Sequence, residues 1–229
     1  MNTNALKRLT VDLFMSALMI ALMAYQVVGD TAHEVLGTAV GVLFLAHAWL
    51  NQRWFASFYK GKFTVLRALQ NPLIILVLLD TLVVMVTGMM ISGTVFAFLD
   101  IRSGVAVART LHICASYWAL VLMSCHVGLH WSAVLAMTRS VFGRPPLRGA
   151  AQGALRLVSL AFAAYGAIAF DRLQIWDYLT LKMQFAFFSD SGDLAMLFDW
   201  TSVMGLFVFV SYWLGRLVQR PAAGSKGRS

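Results

Sequence analysis

Polar and apolar residues along this chain are segregated into blocks. Long apolar runs are separated by short clusters of charged and small residues. A membrane-crossing helix needs ~20 mainly apolar residues, and six segments meet that need, near residues 11–28, 31–50, 72–95, 106–136, 151–170 and 201–218. Solid runs such as Leu73 to Val86 lack the inside-outside alternation of barrel strands. The expected fold is therefore all-α, a bundle of six transmembrane helices. Lys7 and Arg8 precede the first run as they would in a signal peptide, but no convincing small-x-small cleavage site comes after it, and the run is read as a retained helix.

Composition agrees with the pattern. Of 229 residues, 60% are hydrophobic and only 12% charged, and the mean hydropathy is +0.75, far above that of a soluble domain. A net charge of +8 would suit nucleic acid, yet the cations sit in short clusters between apolar runs and form no patch with interleaved aromatics. No nucleic-acid partner is expected; the basicity reads as topology, and the partner it implies is a lipid bilayer.

With the N-terminus cytoplasmic, the inner side receives Lys7, Arg8, Arg53, Lys60, Lys62, Arg67, Arg139, Arg144, Arg148, Arg156, Arg216, Arg220, Lys226 and Arg228. The outer side keeps Arg102, Arg109, Arg172 and Lys182, with the acids Asp30, Glu34, Asp100, Asp171, Asp177, Asp190, Asp193 and Asp199. This bias predicts that both termini are cytoplasmic. The outer stretch 171–200 mixes aromatics with acids and is too polar to span, so it is expected to lie partly along the membrane surface as an amphipathic segment.

The histidines carry the chemistry. Residues 33–47 read HEVLGTAVGVLFLAH and residues 112–126 read HICASYWALVLMSCH. Each is a histidine pair with thirteen residues between, and the two pairs are offset by a constant 79 positions, so the first two spans look repeated as the third and fourth. Fourteen residues of helix rise ~21 Å and end about 40° short of four full turns, which puts both rings of a pair on one face near opposite membrane surfaces. The second and fourth spans run parallel. His33 is thus expected level with His112 near the outside, and His47 level with His126 near the inside. Two facing imidazoles at each of two depths are what two bis-histidine haems require. Gly37, Thr38 and Gly41 either leave room for a flat ring or pack helices through a small-xxx-small face.

The elements GDTAHEVLGTAVGVLFLAHAWLNQRW and TGMMIS with ARTLHICASYWALVLMSCHVGLHW resemble the flavinylation-associated transmembrane cytochromes, a family within the cytochrome b-like superfamily of di-haem bundles. The resemblance covers about residues 10–135, and YGAIAFDRLQIWDYLTLKMQFAFF is loosely similar to the next segment of such proteins. It implies two non-covalent b-type haems with iron held at His33, His47, His112 and His126, a bacterial inner (plasma) membrane, and electron exchange with an extracytoplasmic flavoprotein carrying covalent FMN.

Other residues have two readings each. His130, four after His126, is a contact to a propionate, a quinone or a second shell, or else a snorkelling interfacial residue; the repeat places it opposite Asn51. Arg53, Lys60, Lys62, Arg102 and Arg109 are candidate propionate counter-ions, and Arg109 is the foremost because it lies one turn before His112 on the side that should lack cations. Asp80, inside the third span, either passes protons to a quinone or hydrogen-bonds a nearby Thr or Ser. Cys114 and Cys125 form no C-x-x-C-H arrangement, which excludes covalent c-type haem.

The domain expectation is a four-helix di-haem core over 1–140, with two further spans over 141–229. The expected activity is single-electron transfer across the membrane between quinone or another donor and an outer flavin-bearing partner, by the chain alone or as a subunit of a membrane oxidoreductase. The alternative class is a histidine-lined proton or metal-ion transporter; zinc, however, wants three or four ligands at one depth where this sequence offers two at each.

Overall fold

The computed structural model describes residues 3–58, 60, 64–143, 145–186 and 192–219, and among these it contains helices and no strand. Lys62, Arg144, Asp190, Arg220, Lys226 and Arg228, each assigned a side by the charge bias, lie outside the described residues. In chain order the helices are α1 (Thr3–Met23), α2 (Tyr25–Val28), α3 (Asp30–Leu50), α4 (Gln52–Ala56), α5 (Val65–Ile91), α6 (Val105–Leu129), α7 (Trp131–Phe142), α8 (Gly149–Arg172), α9 (Ile175–Leu179) and α10 (Asp193–Val218), with a 3-10 turn at Ala97–Leu99.

Among the described residues five helices, α3, α5, α6, α8 and α10, are long and apolar enough to cross a membrane. The chain is a multi-pass membrane protein. The sixth expected span, 11–28, takes a different form. Its helix starts at Thr3, so Lys7, Arg8 and Asp12 fall inside α1, and it ends at Met23. The chain then turns through the short α2 to Gly29, whose φ of +72° is open to glycine and strained for other residues. That turn reverses the chain directly into α3.

Two further boundaries move. The expected span 106–136 is divided at His130 into α6 and α7. Within the outer stretch 171–200, α9 buries Ile175, Tyr178 and Leu179, and α10 already begins at Asp193, burying Met196, Asp199 and Trp200. Asp199, expected on the polar outer side, is only 1% exposed. It lies in helix because Arg172 pairs with its carboxylate and the Tyr165 hydroxyl donates to it at 2.8 Å, which offsets the cost of burying the charge.

Close helix packing at α10 is set by small residues. A Cβ on Gly166 of α8 would overlap the backbone of Ser202, and one on Gly128 of α6 would overlap the Val208 carbonyl and the Ser211 hydroxyl. The best-buried apolar cluster accordingly lies where α6, α8, α9 and α10 meet the end of α1, with Leu120, Val203 and Ile175 fully buried. Buried hydroxyls return to their own helices, Ser124 to the Leu120 carbonyl at 2.5 Å and Thr87 to that of Val83 at 2.6 Å, so neither is left bare in an apolar surround. Outward-facing side chains such as Val42, Leu45, Leu79, Val86, Leu157 and Val158 are exposed, as suits a lipid-facing surface.

Around the other side of α6 the contacts run α1 to α3, α3 to α5, α5 to α6 and α6 back to α1. In this ring α3 and α6 stand across from one another. No residue of α3 is buried, and the helix is held chiefly along its α1 flank.

Candidate cofactor site between facing histidines

Helices α3 and α6 meet across the ring through their histidines. The ring centres of His33 and His112 are 6.3 Å apart, and those of His47 and His126 are 6.5 Å apart. The planes cross at 75° and 76°. The constant offset of the two sequence pairs thus becomes two facing pairs of matching geometry, one toward each end of the bundle. An imidazole nitrogen binds a metal at ~2.0 Å, so two imidazoles on opposite sides of one iron have ring centres ~6.3 Å apart. Both separations fit that arrangement.

Hydrogen bonding decides which nitrogen each ring offers. The His112 Nδ1 lies 3.1 Å from the Val84 carbonyl oxygen and 3.1 Å from the Thr87 hydroxyl. Because a carbonyl only accepts, Nδ1 carries the proton and Nε2 keeps its lone pair. The His47 Nδ1 is 2.7 Å from a carboxylate oxygen of Asp12, and the same logic leaves its Nε2 free. These contacts have the form of the outer-shell partners that orient metal-bound histidines. The Nδ1 atoms of His126 and His33 are buried without a partner. Each pair therefore has one histidine anchored from a neighbouring helix, His112 by α5 and His47 by α1.

The surroundings of the outer pair, His33 with His112, are built by residues that the sequence did not single out. Glu34 accepts hydrogen bonds from the Ser92 hydroxyl at 2.7 Å and from the backbone N–H groups of Gly93, Thr94 and Val95 at 2.8, 3.0 and 2.8 Å. A carboxylate bonded four times is a latch that ties the start of α3 to the turn after α5, one residue from His33. Tyr25 sets its ring edge-on to His33 at 5.1 Å and gives its hydroxyl to Asp30. Gly88 lets His112 lie against α5, since a Cβ there would stand 3.2 Å from the imidazole. The Met85 side chain lies over Gly41, and that of Leu22 reaches Gly37.

Among the candidate counter-ions, Arg109 is exposed and its charge reaches both His112 and Tyr25. Arg102 is spent on a two-point pair with Asp100, at 2.9 Å for each contact. Arg53 and Lys60 are exposed, and the Lys60 carbonyl accepts from Arg67 at 2.7 Å. His130 sits at the joint of α6 and α7, its ring centre 4.7 Å from that of His126, with Nε2 buried and unbonded. Asp80 Oδ2 is likewise buried without a partner, so the Thr or Ser hydrogen bond does not account for that oxygen. Cys114 approaches the Leu179 carbonyl at 3.9 Å, and both cysteines are free thiols.

Among the described residues no group of three or more His, Cys, Asp or Glu is placed to hold a metal ion. A zinc-type site of three or four side chains therefore has no ligand set among the described residues. A pair of axial imidazoles is a two-ligand arrangement and is not such a group. Comparison of the chain with known protein families, with curated proteins and with solved structures gives no match.

Proposed function

We propose that this multi-pass membrane protein is a di-haem b-type cytochrome that carries single electrons between the two faces of its membrane. The observation that carries the reading is the pair of ring separations, 6.3 and 6.5 Å, at two levels of one helix pair. One facing pair is an ordinary packing event. Two of equal geometry, fourteen residues apart on each helix, ask for a common cause.

In this reading His33 and His112 hold the outer group and His47 and His126 the inner one, each through Nε2. Bound haem supplies reversible one-electron chemistry at its iron. The chain fixes the tautomers of His112 and His47 through Val84, Thr87 and Asp12 and places the Arg109 cation beside the outer pair. Both termini face the cytoplasm, on the strength of the Lys and Arg bias. The resemblance to flavinylation-associated cytochromes supports a bacterial inner membrane, an outer flavoprotein carrying FMN as exchange partner, and a quinone at one rim. His130, half-buried beside His126 with its Nε2 buried, is the natural contact for such a quinone or for a propionate.

The test is optical and quantitative. Purified protein is expected to show a Soret band, a sharp reduced α-band, and two haems per chain by pyridine haemochrome. A colourless protein from haem-sufficient cells sinks the proposal.

A further inference from the structure

The two histidine pairs differ in the group that accepts the Nδ1–H of the anchored ring. At the inner pair the His47 Nδ1–H points at a carboxylate, Asp12, at 2.7 Å, and both side chains are 29% exposed. Arg8, one turn earlier on α1, gives its guanidinium to the Leu50 carbonyl at 2.8 Å, and among the described residues it makes no ion pair with Asp12. At the outer pair the matching contact, from His112, goes to the neutral oxygens of Val84 and Thr87, and the charges around this pair are of both signs, the cation Arg109 near His112 and the carboxylates Glu34 and Asp30 near His33.

This asymmetry has a direct electronic consequence. A carboxylate that accepts Nδ1–H draws the proton toward itself and gives the imidazole partial anionic character, so Nε2 becomes a stronger donor to a metal. A stronger anionic donor favours ferric over ferrous iron, as does a negative charge a few ångströms away in a medium of low dielectric. At the outer pair the His112 Nδ1–H meets only neutral oxygens, so this strengthening is absent there.

Resting on the di-haem reading, we propose that Asp12 is a positioning residue that fixes the His47 tautomer and sets the inner haem at a lower reduction potential than the outer one. Electron flow from the inner to the outer face is then the downhill direction. The role acts through His47.

Redox titration of the holoprotein, followed optically, tests this. Wild type is expected to titrate in two waves, and the lower one is assigned to the inner haem by its survival in His112→Ala. In Asp12→Asn the lower wave is expected to rise by an amount equal to a tenfold change in the reduced-to-oxidised ratio, ~59 mV for one electron, with the upper wave unmoved and haem content unchanged. A lower wave that stays put in a variant with both haems overturns the proposal, as does survival of the upper wave in place of the lower one in His112→Ala. Should the Asn variant lose the inner haem, Asp12→Glu replaces it: the charge remains but the 2.7 Å contact is lost, so a smaller upward shift is expected, and an unmoved wave overturns the inference. Absence of haem from wild type defeats the di-haem reading itself, an outcome seen before any variant is made.

Discussion

The imidazole planes of His33 and His112 cross at 75°, and those of His47 and His126 at 76°. Near-perpendicular axial rings donate into two different metal d orbitals equally and leave them nearly degenerate. Ferric iron held this way keeps much of its orbital magnetism. The oxidised protein is expected to give strongly anisotropic low-spin electron paramagnetic resonance signals, each dominated by one large g value. A rhombic signal with three well-resolved features from both haems would mean that the rings lie parallel.

Single replacements separate the ligands from their neighbour. His33→Ala and His112→Ala should each lose the outer haem, and His47→Ala and His126→Ala the inner one, leaving one haem per chain. His130→Ala should keep two, because the ring facing His47 across the gap is that of His126. Pyridine haemochrome on each variant checks the set, and retention of both haems in His47→Ala would break the inner pairing.

Legibility in the sequence tracks the range of the interaction. The offset of the histidine pairs can be read directly, because helical period and span direction convert spacing into position without reference to any other element. Asp12 and Glu34 do not stand out in the same way. Each acts through a partner 35 or about 60 positions away, His47 or the 92–95 turn, and no local pattern reports such a meeting. Asp12 does carry a signal, an acid in a run otherwise fit for lipid. The start of α10 near Asp199 is hidden for a related reason: the carboxylate looks like a surface group until Arg172 and Tyr165 are seen beside it.

The Glu34 latch is expected to matter locally. Glu34→Ala removes the acceptor of four hydrogen bonds and should destabilise the protein by about 1–3 kcal/mol. Its effect on haem should be uneven, with weaker retention at the outer site and none lost at the inner. Haem loss to apomyoglobin, timed for each site, measures the difference.

Gly128 lies two residues after His126 where α6 touches α10. The obstacle to a methyl group there includes backbone, so Gly128→Ala must push the helices apart, at a cost of about 1–3 kcal/mol. Lower thermal stability in detergent, with inner haem lost before outer, is the expected result; a stability equal to wild type would show that the two helices separate freely.

Arg172→Ala strands the buried Asp199 carboxylate with only Tyr165 beside it. The expected loss is about 3 kcal/mol, the low end for a broken buried pair because Arg172 is half exposed. Adding Asp199→Asn to that variant removes the stranded charge and should recover part of the loss, with haem content unchanged throughout. Thermal melts of the single and double variants give the coupling; a double variant weaker than Arg172→Ala would argue against the charge account.

Because α3 buries no residue of its own and leans on α1 along one flank, its seat is the least costly part of the bundle to vacate. A prosthetic group gripped between it and α6 would bind only the closed arrangement, and its affinity would be added to the cohesion of the α1–α3 hairpin. Occupancy and assembly are then one equilibrium: α3 would be the first piece to come away from a chain starved of tetrapyrrole, and the piece a membrane protease reaches first.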